Sequence, residues 1–388
     1  MNTRNTSFAS VFCVVSAIVL SSCGEKTPAT ALALTNLFDP GISPEAKTKI
    51  NAFLDGIPAA EKAGIDRFEV AYVDDDGKVY SNRIGSGVRT GKIIEQAGNR
   101  IVKFANGDEI PAPVRDDFKP GNLSAQSSTF GTCNTTDGPY WRSYTKAGYA
   151  AIRGNLNIQF VSAISPKTPT TPLVAAYAYF GGQAANGAST AEGGLVYHDN
   201  SLRIFFSAPG NTYQNTGNAP VSYQEFVPPA NTTLLNVGTA YPVRFQIYSN
   251  GINNSTPNGL VWVDVTANGV TTAKIIRFAT TQMNVTGVDQ YMKRMASIAS
   301  SGFTPYNGNT SYASKNTVVM DTVKVGTLSG NAYTWTDWTS AVAFSSASDC
   351  KWPAPTAAAP NRKLVLTVPA NTSASASVTT TIDMSKTQ

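Results

Sequence analysis

The feature that most constrains this chain is a series of short runs in which apolar and polar residues alternate and which end at turn-forming residues. The clearest pair covers residues 260–265 and 271–278, with Asn268-Gly269 between the two runs. Side chains alternate across a strand with a period of two, and Asn-Gly between such runs is the strongest short-range hairpin signal. We therefore predict an antiparallel β-hairpin at this place.

Similar runs recur through the chain after residue 133. In each run, apolar and polar residues alternate as in a strand, or the run ends at a turn. The runs lie at residues 173–180, 194–207, 243–247, 362–368 and 377–382. By contrast, residues 289–297, which include Lys293 and Arg294, are predicted to form a short helix. Strands of this number and spacing imply two packed antiparallel sheets. The sequence therefore predicts a mainly β fold with a β-sandwich domain over residues 133–388.

The composition is typical of an exported β protein. Charged residues make up 14% of the chain, against roughly a quarter in ordinary globular domains. Asn, Thr, Ser, Gly and Ala take their place, and neutral polar side chains suit the solvent face of an antiparallel sheet. The formal net charge of +5 is small and comes without a basic cluster, so we expect no nucleic acid partner.

The region before the sandwich has a different character, because 15 of the 25 acidic residues precede Pro120 and all five tryptophans follow Cys133. Ser43 followed by Pro44 is a helix-start signal. We predict a small helix-plus-β module over residues 43–112.

Within that module, the runs on either side of residues 74–78 predict a hairpin that turns at Asp76-Gly77. A calcium site at these aspartates is the less favoured interpretation, because EF-hand ligands are spread over a loop of about twelve residues. Residues 113–132 carry Pro, Gly, Ser and Asn without apolar periodicity, which predicts a linker.

The N-terminus has the layout of a secretory signal, with Arg4 followed by an apolar run that ends at Leu20. The run is shorter than the about 20 residues that a membrane-spanning helix needs. Residues 20–23, Leu-Ser-Ser-Cys, resemble the lipobox of bacterial lipoproteins.

The lipobox resemblance implies a signal peptide over residues 1–22, an acyl anchor on Cys23 and a membrane tether over residues 23–42. It implies a location in the bacterial cell envelope. Gly24 is not the aspartate that retains such proteins at the inner membrane, which favours the outer membrane or the cell surface. The alternative is an ordinary secretory signal with a chance cysteine.

Two further cysteines, Cys133 and Cys350, remain in the mature chain. Disulfides persist in exported proteins, so this pair is a candidate disulfide. Two buried free thiols are the alternative.

Residues 178–206 and 289–300 resemble concanavalin A-like sandwiches of exported bacterial proteins, through a strand, a Gly-Gly loop, an acidic residue before a second Gly-Gly and a long hairpin. The resemblance implies a jelly roll of two curved antiparallel sheets. It also implies sugar binding on the concave sheet or at end loops. It brings no catalytic motif.

Catalytic signals are sparse. The E-x-D-x-E pattern of laminarinase-like enzymes is missing, and the only glutamates after residue 133 are Glu192 and Glu225. These two are the candidate catalytic residues if the protein is an enzyme. The single histidine, His198, is expected beside a turn, and no motif for a metal or cofactor is found.

Aromatic clusters supply the candidate binding residues. Flat rings stack on the apolar C–H faces of sugars, while Asp and Asn accept or donate hydrogen bonds to the sugar hydroxyls. Two clusters combine these groups, namely Tyr333, Trp335, Asp337 and Trp338, and Tyr177, Tyr179, Asn186 and Glu192. A core role for the same rings is the alternative.

Together these observations predict an envelope-anchored, noncatalytic β-sandwich lipoprotein that binds a glycan or a cell-surface partner. Two alternatives stay open. One is a polysaccharide hydrolase or lyase of the concanavalin A-like superfamily, and the other is a purely structural envelope protein.

Overall fold

The computed structural model describes residues 37–55, 67–73, 79–82, 88–96, 99–114, 138–162, 174–184, 190–208, 223–226, 235–249, 259–267, 270–278, 290–300, 314–329, 332–344, 365–367 and 375–383. In these ranges the chain forms one helix and 19 strands. In chain order they are α1 (Pro44–Leu54), β1 (Arg67–Val73), β2 (Val79–Ser81), β3 (Val88–Gln96), β4 (Asn99–Phe104), β5 (Glu109–Pro111), β6 (Tyr140–Tyr144), β7 (Ala151–Ser162), β8 (Val174–Ala184), β9 (Thr190–His198), β10 (Ser201–Ser207), β11 (Tyr223–Phe226), β12 (Tyr241–Ser249), β13 (Gly259–Ala267), β14 (Val270–Phe278), β15 (Gln290–Ser300), β16 (Lys315–Ser329), β17 (Ala332–Asp337), β18 (Val365–Thr367) and β19 (Val378–Asp383).

The strands form two large sheets. The first sheet has the order β18-β19-β16-β7-β12-β13-β14-β1-β2, with β17 also paired to β16. The second sheet has the order β5-β4-β3-β11-β10-β9-β8-β15-β6. Neighbouring strands are antiparallel except for β1 and β14, which run parallel.

The two sheets pack face to face. Val261, Val263 and Val265 of β13 alternate into the interior and are buried. A Cβ atom on Gly193 of β9 would lie 2.7 Å from both Cγ atoms of Val263, so the second sheet approaches the first closely here. Asn316 of β16 also crosses the interior, since its side-chain amide donates to the Ser297 carbonyl of β15 at 3.0 Å. The predicted mainly β sandwich is confirmed, while the finer likeness to concanavalin A-like proteins stays a prediction.

The opposite face of the second sheet carries an aromatic core. The Phe205 ring stacks on Tyr223 with a centroid separation of 5.8 Å and meets Tyr177 edge-on at 5.0 Å. Aromatic pairs of this kind contribute about 0.5–1.5 kcal/mol beyond the area they bury. The Tyr177 hydroxyl donates to the Pro111 carbonyl at 2.6 Å, which ties the N-terminal part of the chain to this core.

The strands of residues 43–112 do not form a sheet of their own. Strand β1 pairs with β14 of the first sheet, and β3 pairs with β11 of the second. Residues 36–388 accordingly form one compact unit. The physical reason is that β11 and β14 would otherwise present unpaired backbone groups at a sheet edge. The predicted helix is confirmed, since the Ser43 hydroxyl accepts from the Ala46 amide at 3.2 Å. The antiparallel pairing of β1 with β2 agrees with the predicted hairpin, whose turn at Asp76-Gly77 lies outside the described residues.

The helix predicted at residues 289–297 is wrong, because this segment is strand β15, between β8 and β6 in the second sheet. Residues 292–300 are all buried. A strand that is covered on both faces loses the alternating pattern that identifies half-buried strands. Pairing with β8 over the whole length of β15 then overrides its local helix preference.

The two Gly-Gly pairs lie inside strands β8 and β9 instead of in loops. A Cβ atom on Gly194 would lie 2.4 Å from the Ala178 carbonyl oxygen, and one on Gly193 would collide with Val263. These glycines therefore allow close approach of the neighbouring strand and of the facing sheet.

Several predicted features lie outside the described residues. They are the signal peptide, the tether with Cys23, the linker between residues 115 and 132, the cysteines Cys133 and Cys350, and Asn186. In the described part of the chain, no helix has the length and apolar character needed to span a membrane.

Candidate functional site

An open cleft of about 400 Å³ lies on the face of the first sheet that points away from the second sheet. The orientation follows from strand geometry, because Val263 and Val265 face the interior and Asp264 and Thr266 must project the other way. We call this surface the outer cleft. Its polar side chains are Arg153, Asn155, Arg244, Asp264, Thr266, Thr271, Thr322 and Lys324. Its volume lies at the lower end of the range of ligand pockets, about 300–1,000 Å³.

Five charged residues form a single row across the first sheet beside this cleft. Asp337 is directly opposite Lys324, Lys324 is opposite Arg153, Arg153 is opposite Arg244, and Arg244 is opposite Asp264. Directly opposed residues have Cα atoms about 4.5–5.5 Å apart. The row, which we call the charged row, therefore places three cations side by side between two carboxylates.

The carboxylates at the ends of the row bind their neighbours. Arg244 donates from Nε and Nη2 to Asp264 Oδ2, at 2.7 and 2.6 Å. Lys324 Nζ lies 2.9 Å from Asp337 Oδ1, with 39% and 63% of the two side chains exposed. Exposed pairs of the second kind contribute little to stability, so Lys324 is available to a ligand at small cost.

Two tryptophan rings stand over the arginines of the row. The guanidinium carbon of Arg153 lies 4.2 Å from the centroid of Trp335, and that of Arg244 lies 5.2 Å from Trp262. Cation–π contacts at these distances fix the planes of the guanidinium groups. Trp335 is half-buried, and it shares the outer face with the cleft because Asp337, two residues on, pairs with Lys324.

The cleft wall contains an unusual backbone conformation. Thr322 has a φ of 53°, and the pairing of β16 with β7 shifts by one residue between Asp321 and Lys324. A β-branched residue with positive φ is a clear outlier, and such strain is concentrated at functional sites. This β-bulge re-aims the strand just before Lys324 enters the charged row.

The binding residues predicted within 333–338 fall into two groups, of which one is buried and the other is accessible to solvent. Tyr333, Trp335 and Asp337 share one face of β17, because side chains alternate along a strand. Tyr333 is buried, and its hydroxyl donates to the Ile247 carbonyl. Trp338 is fully buried with Arg294 4.4 Å from its ring centroid. Only Trp335 and Asp337 of this group are presented to a ligand.

The second predicted cluster is inside the protein. Tyr177, Tyr179 and Glu192 are buried on the second sheet. The Tyr179 hydroxyl contacts the Met295 sulfur at 2.8 Å. Glu192 is bound by Lys293, whose ammonium group reaches it across Gly181 on the strand between them.

Glu225 lies in a second buried network on the same face. His198 Nε2 lies 2.6 Å and Arg203 Nη1 3.1 Å from its carboxylate oxygens, and Tyr223 donates to it at 3.0 Å. Burial alone would raise the pKa of Glu225, but hydrogen bonding to His198 and the nearby positive charges hold it below the ordinary value. Burial likewise opposes the charged form of His198, yet the hydrogen bonds with Asp199 and Glu225 raise its pKa.

The two glutamates do not form the pair that glycosidases use. Glu192 is opposite Ser207, Ser207 is opposite Tyr223, and Glu225 lies two residues further along β11. Two strand spacings of about 4.8 Å and two residues of about 3.4 Å place the Cα atoms roughly 12 Å apart. Retaining enzymes need carboxyl groups about 5 Å apart and inverting ones about 6.5–9.5 Å. Here the two side chains extend in different directions, since Glu192 reaches Lys293 on β15, on the side away from β11, and Glu225 reaches His198. Each glutamate is also occupied by a buried cation.

Most residues of the charged row were not predicted from the sequence as site residues. A usable signal was present, because Arg244 alternates with Val243 and Phe245 in a run that was predicted as a strand, and Asp264 does the same in its own run. That pattern does not indicate which strands become neighbours in the sheet. No group of three or more His, Cys, Asp or Glu side chains placed to hold a metal ion occurs among the described residues.

No protein-family model and no curated protein matches the sequence. Among solved structures, the chain is similar to the crystal structure of the marine PL-14 alginate lyase from Aplysia kurodai, with 10% sequence identity and a TM-score of 0.16. The match covers 43% of this chain and 72% of that chain. Similarity at this level carries no information on activity.

Proposed function

We propose that this protein is an envelope-anchored, noncatalytic β-sandwich lipoprotein that binds a glycan in the outer cleft. The observation that carries the proposal is an open cleft lined by cations, a carboxylate and hydroxyls, with the half-buried Trp335 ring beside it, against the Arg153 guanidinium. Sugars offer apolar C–H faces to a ring and hydroxyls that both donate and accept hydrogen bonds. Trp335 supplies the ring, while Arg153 donates and Asp337 accepts.

The floor of the cleft is preorganised, which favours the binding of a ligand. Strands β7, β12 and β13 are each paired on both sides. Thr266 and Thr271 are held together by a hydrogen bond between their hydroxyls, at 2.8 Å. Preorganised side chains lose little conformational entropy when a ligand binds.

The noncatalytic part of the proposal is supported by the state of Glu192 and Glu225. Both are buried and bound by cations. A substrate would have to displace an ion pair from a closed interior to reach either one, which costs several kcal/mol.

The location rests on the lipobox alone. Each CH₂ group of an acyl chain that enters the bilayer contributes about 0.8 kcal/mol to the free energy of membrane binding. Stable anchoring takes more than one acyl chain or a second membrane-binding group. Lipid on Cys23 would hold residues 36–388 at the envelope surface, where glycans are abundant. Mass spectrometry of the processed N-terminus checks this part independently of glycan binding.

The test is a glycan array with the full processed chain in detergent, followed by calorimetry with the glycans that bind. Trp335→Ala should weaken binding by at least about fivefold, which corresponds to 1 kcal/mol at a binding hot spot. Phe160→Ala is the matched control, because Phe160 is an exposed ring on β7 of the same sheet, 47% accessible. It should leave the affinity unchanged.

Two outcomes would redirect the proposal. If folded protein binds no glycan but captures an envelope protein, the structural or partner-binding alternative is favoured. If glycans that bind are cleaved, and Glu192→Gln abolishes the release of new ends, the hydrolase or lyase alternative replaces the noncatalytic one.

A further inference from the structure

Strand β17 is an open edge of the first sheet. Among the described residues it pairs with β16 alone, on one side, over residues 332–337. Thr334, Thr336 and Asp337 are exposed, so side chains on both faces of the strand reach solvent. Open strand edges readily pair with other strands, because an edge presents a row of backbone N–H and C=O groups.

The hydrogen-bonding direction of β17 follows from one bond at its end. The Trp338 amide donates to the Val323 carbonyl of β16 at 2.9 Å. In an antiparallel pair, successive residues of a strand point their backbone groups alternately towards the neighbouring strand and away from it. Thr336 therefore points its backbone groups at β16, and Trp335 and Asp337 point theirs to the open side.

Two other edge strands of the sheets are blocked, in contrast to β17. Strands β2 and β5 are three residues long, and β5 includes Glu109 and Pro111. Short length, charge and proline are common ways in which proteins block an edge. Strand β17 has six residues, of which only Asp337 at its end is charged and none is proline. Its Tyr, Thr and Trp residues favour strands, so β17 is suited to pair with a further strand.

We infer that β17 pairs with β17 of a second copy of this chain, antiparallel and with Trp335 opposite Trp335. The order Thr334-Trp335-Thr336 reads the same in both directions, so this register places Thr334 of each copy opposite Thr336 of the other. The two Trp335 residues, whose backbone groups point to the open side, exchange both N–H···O=C bonds. The Asp337 carboxylates lie at opposite ends of the pair, so no like charges are directly opposed. A two-fold pairing of this kind is closed and ends at two copies.

The pairing extends the first sheet across two copies and places two outer clefts on one face. Trp335 lies on the outer face, and directly opposed residues of a sheet share a face, so the two rings lie side by side between the clefts. A glycan chain that contacts both clefts binds with avidity. The dimer itself needs no glycan, so it is tested separately from the proposed function. A single strand pair is smaller than the about 1,000 Å² expected of a stable interface, so we expect a reversible dimer.

The experiment is sedimentation equilibrium of the full processed chain in density-matched detergent, at several ratios of protein to detergent. Two double variants change the same exposed threonines. In Thr334→Lys with Thr336→Lys, the register opposes two lysines at two places. In Thr334→Lys with Thr336→Glu, each lysine is opposite a glutamate of the other copy, and this variant is the matched control. Both threonines lie on the face of β17 opposite Trp335, so neither variant alters the outer cleft.

The wild type should dimerise reversibly with rising concentration. The lysine–lysine variant should associate about tenfold more weakly than the lysine–glutamate variant, because two cross-strand pairs change from attractive to repulsive. Thr334→Glu with Thr336→Glu should weaken association in the same way, and mixing it with the lysine–lysine variant should restore dimers. This third variant reports even if the lysine–lysine variant fails to fold, which circular dichroism shows.

Two results would overturn the inference. A wild type that stays monomeric at the highest ratio of protein to detergent contradicts it. A dimer of equal strength in all the double variants places the contact elsewhere and also contradicts it. Both results leave glycan binding in the outer cleft standing, since that function is measured on its own with Trp335→Ala.

Discussion

The ion pair between Glu192 and Lys293 gives the sharpest test of whether the glutamates are structural. Their side chains are 4% and 0% exposed. They lie on β9 and β15 with Gly181 of β8 between them in register. A Cβ atom on Gly181 would lie 3.2 Å from Lys293 Cε, so the missing side chain lets the pair form across the intervening strand.

The expected magnitude follows from this burial. Removing one partner leaves an uncompensated buried charge, which costs about 3–5 kcal/mol. Glu192→Gln and Lys293→Met should each lower the free energy of unfolding by about this amount. The double variant Glu192→Leu with Lys293→Met should recover most of the loss, because apolar pairs of similar volume replace buried ion pairs at little cost.

The assay is urea unfolding, followed by circular dichroism, of the wild type, the two single variants and the double variant. Lys324→Gln serves as the control, since it breaks an exposed lysine–carboxylate pair and should cost no more than about 1 kcal/mol. A loss below about 1 kcal/mol in both buried single variants would refute the reasoning. Glu192 would then be hydrated and reachable by a substrate.

Three further predictions concern His198, Thr322 and Gly194. Burial lowers the pKa of His198, but hydrogen bonds with Asp199 and Glu225 outweigh it and raise the pKa above 6.5 in the folded state. The protonated form of His198 therefore stabilises the fold fully below about pH 6.5, and this stabilisation is lost as the pH rises through the folded pKa. The free energy of unfolding should accordingly be lower at about pH 9 than at about pH 6. His198→Asn should make this difference smaller. Thr322→Gly should raise the melting temperature, because it relieves backbone strain of about 1–3 kcal/mol. The same variant should bind the glycan more weakly. An unchanged melting temperature would show that Thr322 is not strained. Gly194→Ala should destabilise the protein in urea, because its Cβ atom would lie 2.7 Å from Tyr179 Cα, and wild-type stability would contradict the packing described.

The hairpins were predictable because their signals are local. Asp199 and Asn200 adopt φ values of 47° and 56°, the positive values that a tight hairpin turn requires and that Asp and Asn tolerate. The pairing of β13 with β14 follows the alternation on both sides of Asn268-Gly269 in the same way. Strand β15 shows the limit, since burial on both faces erases the period on which such predictions depend.

Long-range pairing was not predictable from these patterns. Strands β1 and β3 complete two different sheets by pairing with β14 and β11, more than a hundred residues away. The sequence of residues 43–112 has no local pattern that identifies β14 and β11 as the pairing partners. The region was therefore predicted to be a module of its own.

The candidate site was predictable only in part, for the same reason. Trp335 and Asp337 stand close together in sequence and were found as an aromatic cluster. Arg153, Arg244 and Lys324 come from three separate strands and meet only through register. The glutamates illustrate the converse, because they were candidate catalytic residues if the protein is an enzyme, whereas the fold places them in buried ion pairs.

The most direct test of glycan binding at the outer cleft is fluorine NMR of the full chain labelled with 5-fluorotryptophan. The protein has five tryptophans, and the Trp335 and Trp338 resonances are assigned by their loss in the corresponding phenylalanine variants. During titration with the glycan that binds most tightly, the Trp335 resonance should shift in proportion to saturation while that of buried Trp338 stays in place. A glycan that saturates the protein by calorimetry and leaves the Trp335 resonance unmoved would contradict the account.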